Sequence, residues 1–172
     1  MLGSKPGASE PSIVKQLDAL GLIVPAYEPL DSRVPIKRWV RQGNLLYLSG
    51  HGPQIAGLPD LRGVVGKDVS IDLAREAARR VALNLLSTIT TAVGRLENVS
   101  RVVRVFGMVN SNPDFTDQSE VLNAASEIFI AAWGPDRGRH ARSAVGVAQL
   151  PGGIPVEIEM LVSVAQRRLG AN

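Results

Sequence analysis

Alternation of apolar and polar residues is clearest near the end of the chain. From residue 156 to residue 164 every even position is apolar, whereas Glu157, Glu159 and Ser163 are polar and only Leu161 departs from the pattern. A period of two residues is typical of a strand with one buried face. The pattern therefore predicts a strand over 155–165 that packs on a core with one side.

Three segments show the longer period of helices. Residues 70–93 repeat alanine and leucine at intervals of three and four, with Ser70 placed to cap the start and Gly94 suited to end the helix. A second apolar stripe predicts a helix over 117–133. A short amphipathic helix is predicted over 12–22.

Further strands are predicted over 36–41, 45–49, 99–109 and 141–149. Gly43-Asn44 predicts a hairpin between the first two, and the Pro151-Gly152-Gly153 turn predicts a second hairpin that joins the last two strands of the chain. Two apolar helix stripes must be buried against one apolar sheet face. This order of elements predicts an α+β two-layer sandwich.

The length of 172 residues suits one domain. We expect an N-terminal extension with a short helix over 1–32, a single domain over 33–166 and a tail over 167–172. No apolar run approaches the roughly 20 residues that a membrane-spanning helix needs. The N-terminus also lacks the apolar stretch of a signal peptide, so we predict a cytoplasmic protein without a membrane partner.

Composition narrows the possible chemistry. The chain has no cysteine, which excludes disulfides and thiolate metal sites, and its two histidines are far apart, so no metal site is expected. A net charge of +3, with two Trp, two Tyr and three Phe, gives little basis for a nucleic-acid partner. No P-loop, G-x-S-x-G or H-E-x-x-H motif is present.

Arg142 is the most unusual residue of the predicted strands, because Ala144, Gly146 and Ala148 lie on the same side of its strand. A buried guanidinium needs a partner, and small residues suit close packing, so we predict a closed homo-oligomer with this face inside. If the last two strands pair as a hairpin, Arg142 and Glu157 lie about 20 Å apart in one chain. They would then cooperate only across subunits. A monomer, and an Arg142 that pairs for stability alone, remain alternatives.

Several short motifs together resemble the Rid/YjgF family, whose older name is endoribonuclease L-PSP. Their order and spacing hold from about residue 34 to 165. The motifs are Ser49-Gly50-His51-Gly52-Pro53, Asn123, Ala141-Arg142-Ser143, Val147-Ala148-Gln149-Leu150-Pro151 and Val156-Glu157-Ile158-Glu159. The resemblance implies a chorismate-mutase-like fold, with two helices packed on one face of a mixed sheet. It also implies a homotrimer with clefts between subunits, within a bacterial subgroup of mostly unassigned function.

The resemblance implies a chemistry as well. The best-defined members of the family hydrolyse reactive enamines and imines to 2-keto acids and ammonia, without a metal or organic cofactor. Arg142 matches the arginine that binds the carboxylate of a small 2-imino or 2-keto acid. Glu157 matches the glutamate that positions or activates water, and Asn123 and Gly50 match residues that line the cleft.

The chain departs from the family pattern at three positions. Ile36 stands where the family has a cleft tyrosine, Ala144 replaces a cysteine, and His51 replaces a glutamine. His51 is a candidate substrate-binding residue, with a locally hydrogen-bonded turn histidine as the alternative. His140 is expected on a solvated loop.

The residues and the resemblance leave three alternative functions for this chain. The first is a deaminase of 2-imino or enamino acids, with Glu157 and Arg142 as catalytic residues. The second is a non-catalytic trimer that binds a small carboxylate or has a regulatory role, and the loss of the family tyrosine favours it. The third is the endoribonuclease of the older family name, which the scarcity of aromatic residues disfavours.

Overall fold

The computed structural model describes residues 12–165, which form a five-stranded sheet with helices on one face. The predicted lead-in of the first eleven residues and the predicted tail over 167–172 lie outside the described residues. In chain order the elements are α1 (Ile13–Ala19), β1 (Trp39–Gln42), β2 (Leu45–His51), α2 (Ile71–Val93), β3 (Val99–Asn110), α3 (Gln118–Gly138), β4 (Ala141–Val147) and β5 (Val156–Val164).

Local signals position the helices. The Ser70 hydroxyl accepts a hydrogen bond from the Leu73 amide at the start of α2, and Gly94 ends the helix at φ 85°, a conformation that glycine adopts without strain. These bounds confirm the predicted helix over 70–93. In α3 the backbone breaks at Gly134, as the sequence predicts, but helical structure continues to Gly138.

The sheet has the strand order β1-β2-β5-β3-β4. β1 and β2 form the predicted hairpin. The second predicted hairpin is wrong, because β3 lies between the last two strands: β4 pairs in parallel with β3, and β5 pairs antiparallel with both β2 and β3. The Pro151–Gly153 turn therefore carries the chain across the end of β3, from the sheet edge to its centre.

The two faces of the sheet differ in what covers them. On the helix face, β5 contributes Val156, Ile158, Met160, Val162 and Val164, and all of them are buried. The opposite face, here called the open face, carries the intervening residues of β5 and their cross-strand neighbours. These open-face residues include Tyr47, Phe106, Met108, Glu157, Glu159, Leu161, Ser143 and Val145.

From the sequence, the face of β4 that carries Arg142, Ala144 and Gly146 was predicted to pack against another subunit. In the structure, the helices of the same chain cover this face of β4. Arg142 bonds to α3, Ala144 packs against the buried core, and a Cβ at Gly146 would meet Gln118. The prediction that this face lies inside an oligomer is therefore wrong for β4. Small residues are needed here because α3 lies close to the sheet.

Close packing of α2 and α3 on the sheet builds the core. Four of the five alanines of α2 are fully buried, and at Gly107 of β3 a Cβ would lie 2.6 Å from Leu122 Cγ of α3. The absence of a side chain at Gly107 is what lets Leu122 pack against the strand. The architecture confirms the predicted α+β two-layer sandwich with a mixed sheet. Within residues 12–165, no helix is long and apolar enough to cross a membrane.

Candidate functional site

Arg142 is held at the edge of the sheet by α3. Its Nη1 donates to Ser126 Oγ at 3.0 Å, and its Nη2 donates to Asn123 Oδ1 at 3.0 Å and to the Ser119 carbonyl at 3.2 Å. Three of its five N–H donors are used in this way, and two remain for a ligand. Burial lowers the pKa of the Arg142 guanidinium below its ordinary value, while the Glu120 carboxylate opposes the shift.

Asn123 is oriented by two charged neighbours. Its Nδ2 donates to Glu120 Oε2 at 2.9 Å, and its Oδ1 accepts from Arg142. A carboxylate needs a donor and a guanidinium needs an acceptor, so these partners fix which way the amide points. Glu120 in turn forms an ion pair with Arg75 of α2. The chain of contacts from α2 to β4 holds Arg142 in one place.

A second chain of hydrogen bonds reaches Arg142 through a histidine. Ser126 Oγ lies 3.1 Å from His140 Nε2, and His140 Nδ1 lies 2.7 Å from the Gly138 carbonyl. The carbonyl can only accept, so Nδ1 carries the proton, Nε2 accepts from Ser126, and Ser126 Oγ accepts from Arg142. His140 is half-buried here rather than on a solvated loop, and burial lowers its pKa.

Glu157 lies on the open face, where it contacts the backbone of β2. A Cβ at Gly50 would overlap the Glu157 carboxylate, and would lie 2.8 Å from its Cδ. Glycine at this position therefore makes room for the carboxylate. Burial, and to a smaller extent the nearby Glu159, raises the pKa of Glu157 above its ordinary value.

Within one chain the structure does not bring Arg142 and Glu157 together. Arg142 pairs with Val105, whereas Glu157 pairs with Met108, whose other neighbour is Val145. The two residues are thus two strands and three residues apart, about 14 Å, and on opposite faces of the sheet. The hairpin register behind the sequence-based separation was wrong, but the two residues are still separated within the chain.

The candidate residues therefore form two groups. Arg142 and Asn123 make a cationic half-site between β4 and α3, and Gly50 and Glu157 make an acidic half-site on the open face. His51 belongs to neither group. It is buried on the helix face, with Nδ1 2.7 Å from the Ser49 carbonyl and Nε2 2.8 Å from Thr88 Oγ1.

Burial lowers the pKa of His51 to about 4, so the ring is neutral at physiological pH. Its contacts match the locally hydrogen-bonded alternative considered from the sequence. Ile36 lies ahead of β1 and is 59% exposed. Ala144 packs on the core, two residues after Arg142. Within residues 12–165, no group of three or more His, Asp or Glu side chains is placed to hold a metal ion.

Ser126 and His140 are functional candidates that the motifs missed. A signal was present in α3, where the polar residues Ser119, Asn123 and Ser126 recur at intervals of four and three and so share one face of the helix. All three bond to Arg142 through a side chain or a carbonyl. Their spacing predicts a polar stripe, but its partner becomes visible only when β4 packs against α3.

The family model of endoribonuclease L-PSP matches residues 28–164 of the chain. Protein TCP17 of Trypanosoma cruzi is 39% identical over 153 residues, which cover 88% of this chain and 94% of that protein. The solved structure of Atu1372 from Agrobacterium tumefaciens, a protein with unknown function, is 36% identical. It has a TM-score of 0.81 and covers 89% of this chain and 92% of its own.

RidA from the Antarctic bacterium Psychrobacter sp. is 26% identical, with a TM-score of 0.53 over 79% of this chain and 94% of its own. Fold and relatives together define a protein of the chorismate-mutase-like α+β class. The chain belongs to the endoribonuclease L-PSP family, also called the Rid/YjgF family. This confirms the resemblance found in the motifs.

Proposed function

We propose that the protein hydrolyses small 2-imino acids to 2-keto acids and ammonia in a cleft between two copies of the chain. One observation carries the proposal: an anchored arginine with free donors and a glutamate of raised pKa lie on opposite faces of one sheet. Each half-site lacks the group that the other supplies. A closed ring of identical chains, such as a homotrimer, would bring them together.

Substrate binding falls to the cationic half-site. The two remaining N–H donors of Arg142 would bind the substrate carboxylate, because charge-assisted hydrogen bonds to a guanidinium are strong and directional. Asn123, Ser126 and the Ser119 carbonyl keep the guanidinium from rotating. Holding the imine carbon in one place removes much of the entropic cost of the reaction.

Water activation falls to Glu157 of the neighbouring copy. Ionised Glu157 takes a proton from water as the water oxygen bonds to the imine carbon, and the C=N electron pair moves to nitrogen. The protonated carboxyl gives that proton to nitrogen, which leaves a hydroxyl and an amino group on the same carbon. Glu157 then takes the hydroxyl proton and passes it to the amino nitrogen, so that the oxygen electron pair forms the keto group as the C–N bond breaks and ammonia leaves. A raised pKa suits both steps, because the group must accept and then donate one proton near neutral pH.

A non-catalytic function is the second candidate, and Ile36 favours it. The side chain at this position is apolar and largely exposed ahead of β1, where the family has a tyrosine hydroxyl. The cleft would then bind a small 2-keto acid through Arg142 without turnover. Arg142-dependent binding of pyruvate by a protein that leaves every imine untouched would support this alternative over hydrolysis.

RNA cleavage finds less support in the described residues. Acid–base cleavage by histidine needs imidazole nitrogens free to exchange protons with substrate. Both ring nitrogens of His51 and both of His140 are engaged by neighbouring groups of the chain. The older family name therefore does not lead to an evident catalytic pair here.

The test is a coupled assay in which an amino-acid oxidase generates imines and semicarbazide traps what remains. Wild-type protein should speed the loss of at least one imine, and Arg142→Ala should lose roughly a hundredfold or more of that rate. Arg139→Ala, an exposed arginine near the same site, is the matched control. Equal rates for wild type and Arg142→Ala would contradict the proposal.

A further inference from the structure

A cavity of about 620 Å³ lies on the helix side of the molecule, apart from both half-sites. Four parts of the chain enclose it: the segment 21–28 of the N-terminal extension, Arg38 just ahead of β1, α2, and the segment 51–58 that begins at the last residue of β2. Its volume is within the range of about 300–1,000 Å³ that is typical of small-molecule sites. No step of the proposed hydrolysis uses this cavity.

Arg38 is the one cation of the cavity wall without a protein partner in the described chain. Its backbone carbonyl accepts from the Ser49 amide, but its guanidinium makes no hydrogen bond or ion pair with any residue from 12 to 165. The Nε atom is buried and unsatisfied. A buried donor without an acceptor is destabilising, so the position favours an anion supplied from outside the chain.

Two other polar side chains of the wall, Arg80 and Asn84, already have partners. Arg80 donates to Glu76 at 2.9 Å and to the Pro59 carbonyl at 2.8 Å. Asn84 Nδ2 donates to the carbonyls of Gly52 and Gln54. These bonds tie the segment after β2 to α2 and shape the cavity without a ligand, so neither Arg80 nor Asn84 needs one.

The rest of the wall limits the ligand to a single charge and an apolar body. Ile23 and Leu58 are large apolar residues that remain 62% and 47% exposed, and Ile55 and Leu83 line the same space. Glu28 lies on the wall and has no partner in the described chain, so a second negative charge on the ligand would be repelled. We propose that the cavity is a second ligand site that binds a small apolar monocarboxylic acid through Arg38.

The experiment is isothermal titration calorimetry with phenylacetate, in the Arg142→Met background. That background removes the carboxylate anchor of the candidate active site, so binding there does not contribute. Phenylacetamide serves as the neutral probe of the same shape, and phenylphosphonate serves as the dianion. We expect saturable binding of one phenylacetate per chain, and weaker binding of both other probes by roughly tenfold or more.

Two further variants in the same background locate the site. Arg38→Met should weaken phenylacetate binding by roughly tenfold or more, and Leu83→Trp, which fills the cavity but keeps Arg38, should do the same. Arg33→Met, an exposed arginine paired with Asp31, should leave the affinity unchanged. Thermal unfolding confirms that each variant is folded.

Three results would overturn the proposal. They are an absence of saturable phenylacetate binding in the Arg142→Met protein, unchanged affinity in folded Arg38→Met, and equal affinity for phenylacetamide. The outcome is independent of the imine assay, because neither Arg142 nor Glu157 takes part in it. The second site can therefore be established or rejected whatever the activity of the cleft.

Discussion

Arg142 and Glu157 lie on opposite faces of one sheet, Arg142 against α3 and Glu157 against the backbone of Gly50. The pairing of β3 with β4 and with β5 is regular in register over this stretch, so no side-chain rotation can join the two groups. An activity that needs both must therefore use two copies of the chain.

Gly50 makes room for the carboxylate that the proposed reaction uses. In Gly50→Ala, the new methyl group would overlap Glu157 and push its carboxylate away from β2. We expect imine hydrolysis to fall roughly a hundredfold, as is typical when a catalytic group shifts by about 1 Å. The same substitution in a Glu157→Gln protein should have little further effect, because the displaced group has already been lost. Additive losses would show that Gly50 acts elsewhere.

The charge of Glu159 should set part of the pH dependence. Glu157 must be ionised to accept a proton, so the rate should rise with pH through its raised pKa. Glu159→Gln removes the smaller cause of the shift, and the acid limb of the pH–rate profile should move to lower pH. Burial, the larger cause, remains in this variant. An unmoved limb would show that the limb does not report Glu157.

The raised pKa of Glu157 should also make the stability of the folded protein depend on pH. A pKa raised by folding means that the folded protein holds this proton more tightly than the unfolded chain does. Glu157 therefore favours the folded state below its unfolded pKa, and the contribution is lost as pH rises through its folded pKa. The glutamine of Glu157→Gln stays uncharged at every pH. As pH rises from the unfolded to the folded pKa of Glu157, the free energy of unfolding of this variant, measured with urea, should therefore increase relative to that of wild type. A difference that does not vary with pH would contradict the assigned shift.

Ser126 should act as a positioning residue, because it touches Arg142 and His140 but carries no charge. Ser126→Ala frees one guanidinium nitrogen and should raise KM roughly tenfold, the cost of about one charge-assisted hydrogen bond, with a smaller change in kcat. Ser126→Thr keeps the hydroxyl and should restore most of the affinity. If the threonine variant behaves like alanine, packing rather than the hydrogen bond is responsible.

Gly107 should control how closely α3 packs on the sheet. A Cβ at this position would lie 2.6 Å from Leu122 Cγ, so Gly107→Ala should cost about 1–3 kcal/mol of unfolding free energy through overpacking. Leu122→Ala should cost about 2–5 kcal/mol through the cavity it leaves. In the double variant the new methyl group occupies part of that cavity, so the combined cost should be smaller than the sum. Simple additivity in urea unfolding would contradict the assigned contact.

Sequence patterns predicted the individual helices and strands better than the pairing of the strands in the sheet. The bounds of α2 followed from Ser70 and Gly94, because a cap and a left-handed glycine act within one turn of the helix. The Pro151–Gly153 turn suggested a hairpin, since turn chemistry is local. Whether the next strand pairs with β4 or crosses to the centre of the sheet depends on α2 and α3, and no local pattern records that choice.

Within the candidate site, only the residues that belong to the family motifs could be predicted from the sequence. Arg142, Asn123, Gly50 and Glu157 were named from the sequence, and the structure shows how the chain sorts them into two half-sites. The side of the sheet on which each residue lies decides to which half-site it belongs. These sides were predicted wrongly because β4 was paired with β5 instead of β3. His140 was missed because its contact with α3 forms across the break at Gly134.

Subunit complementation tests most directly whether the two half-sites meet between chains. Arg142→Ala and Glu157→Gln should each be inactive alone, and the two chains co-expressed in equal amounts should assemble at random. If each site takes Arg142 from one copy and Glu157 from the next, about a quarter of the sites are intact, and the mixed protein should recover about a quarter of wild-type activity. Failure of the co-assembled protein to recover any activity would contradict a shared site.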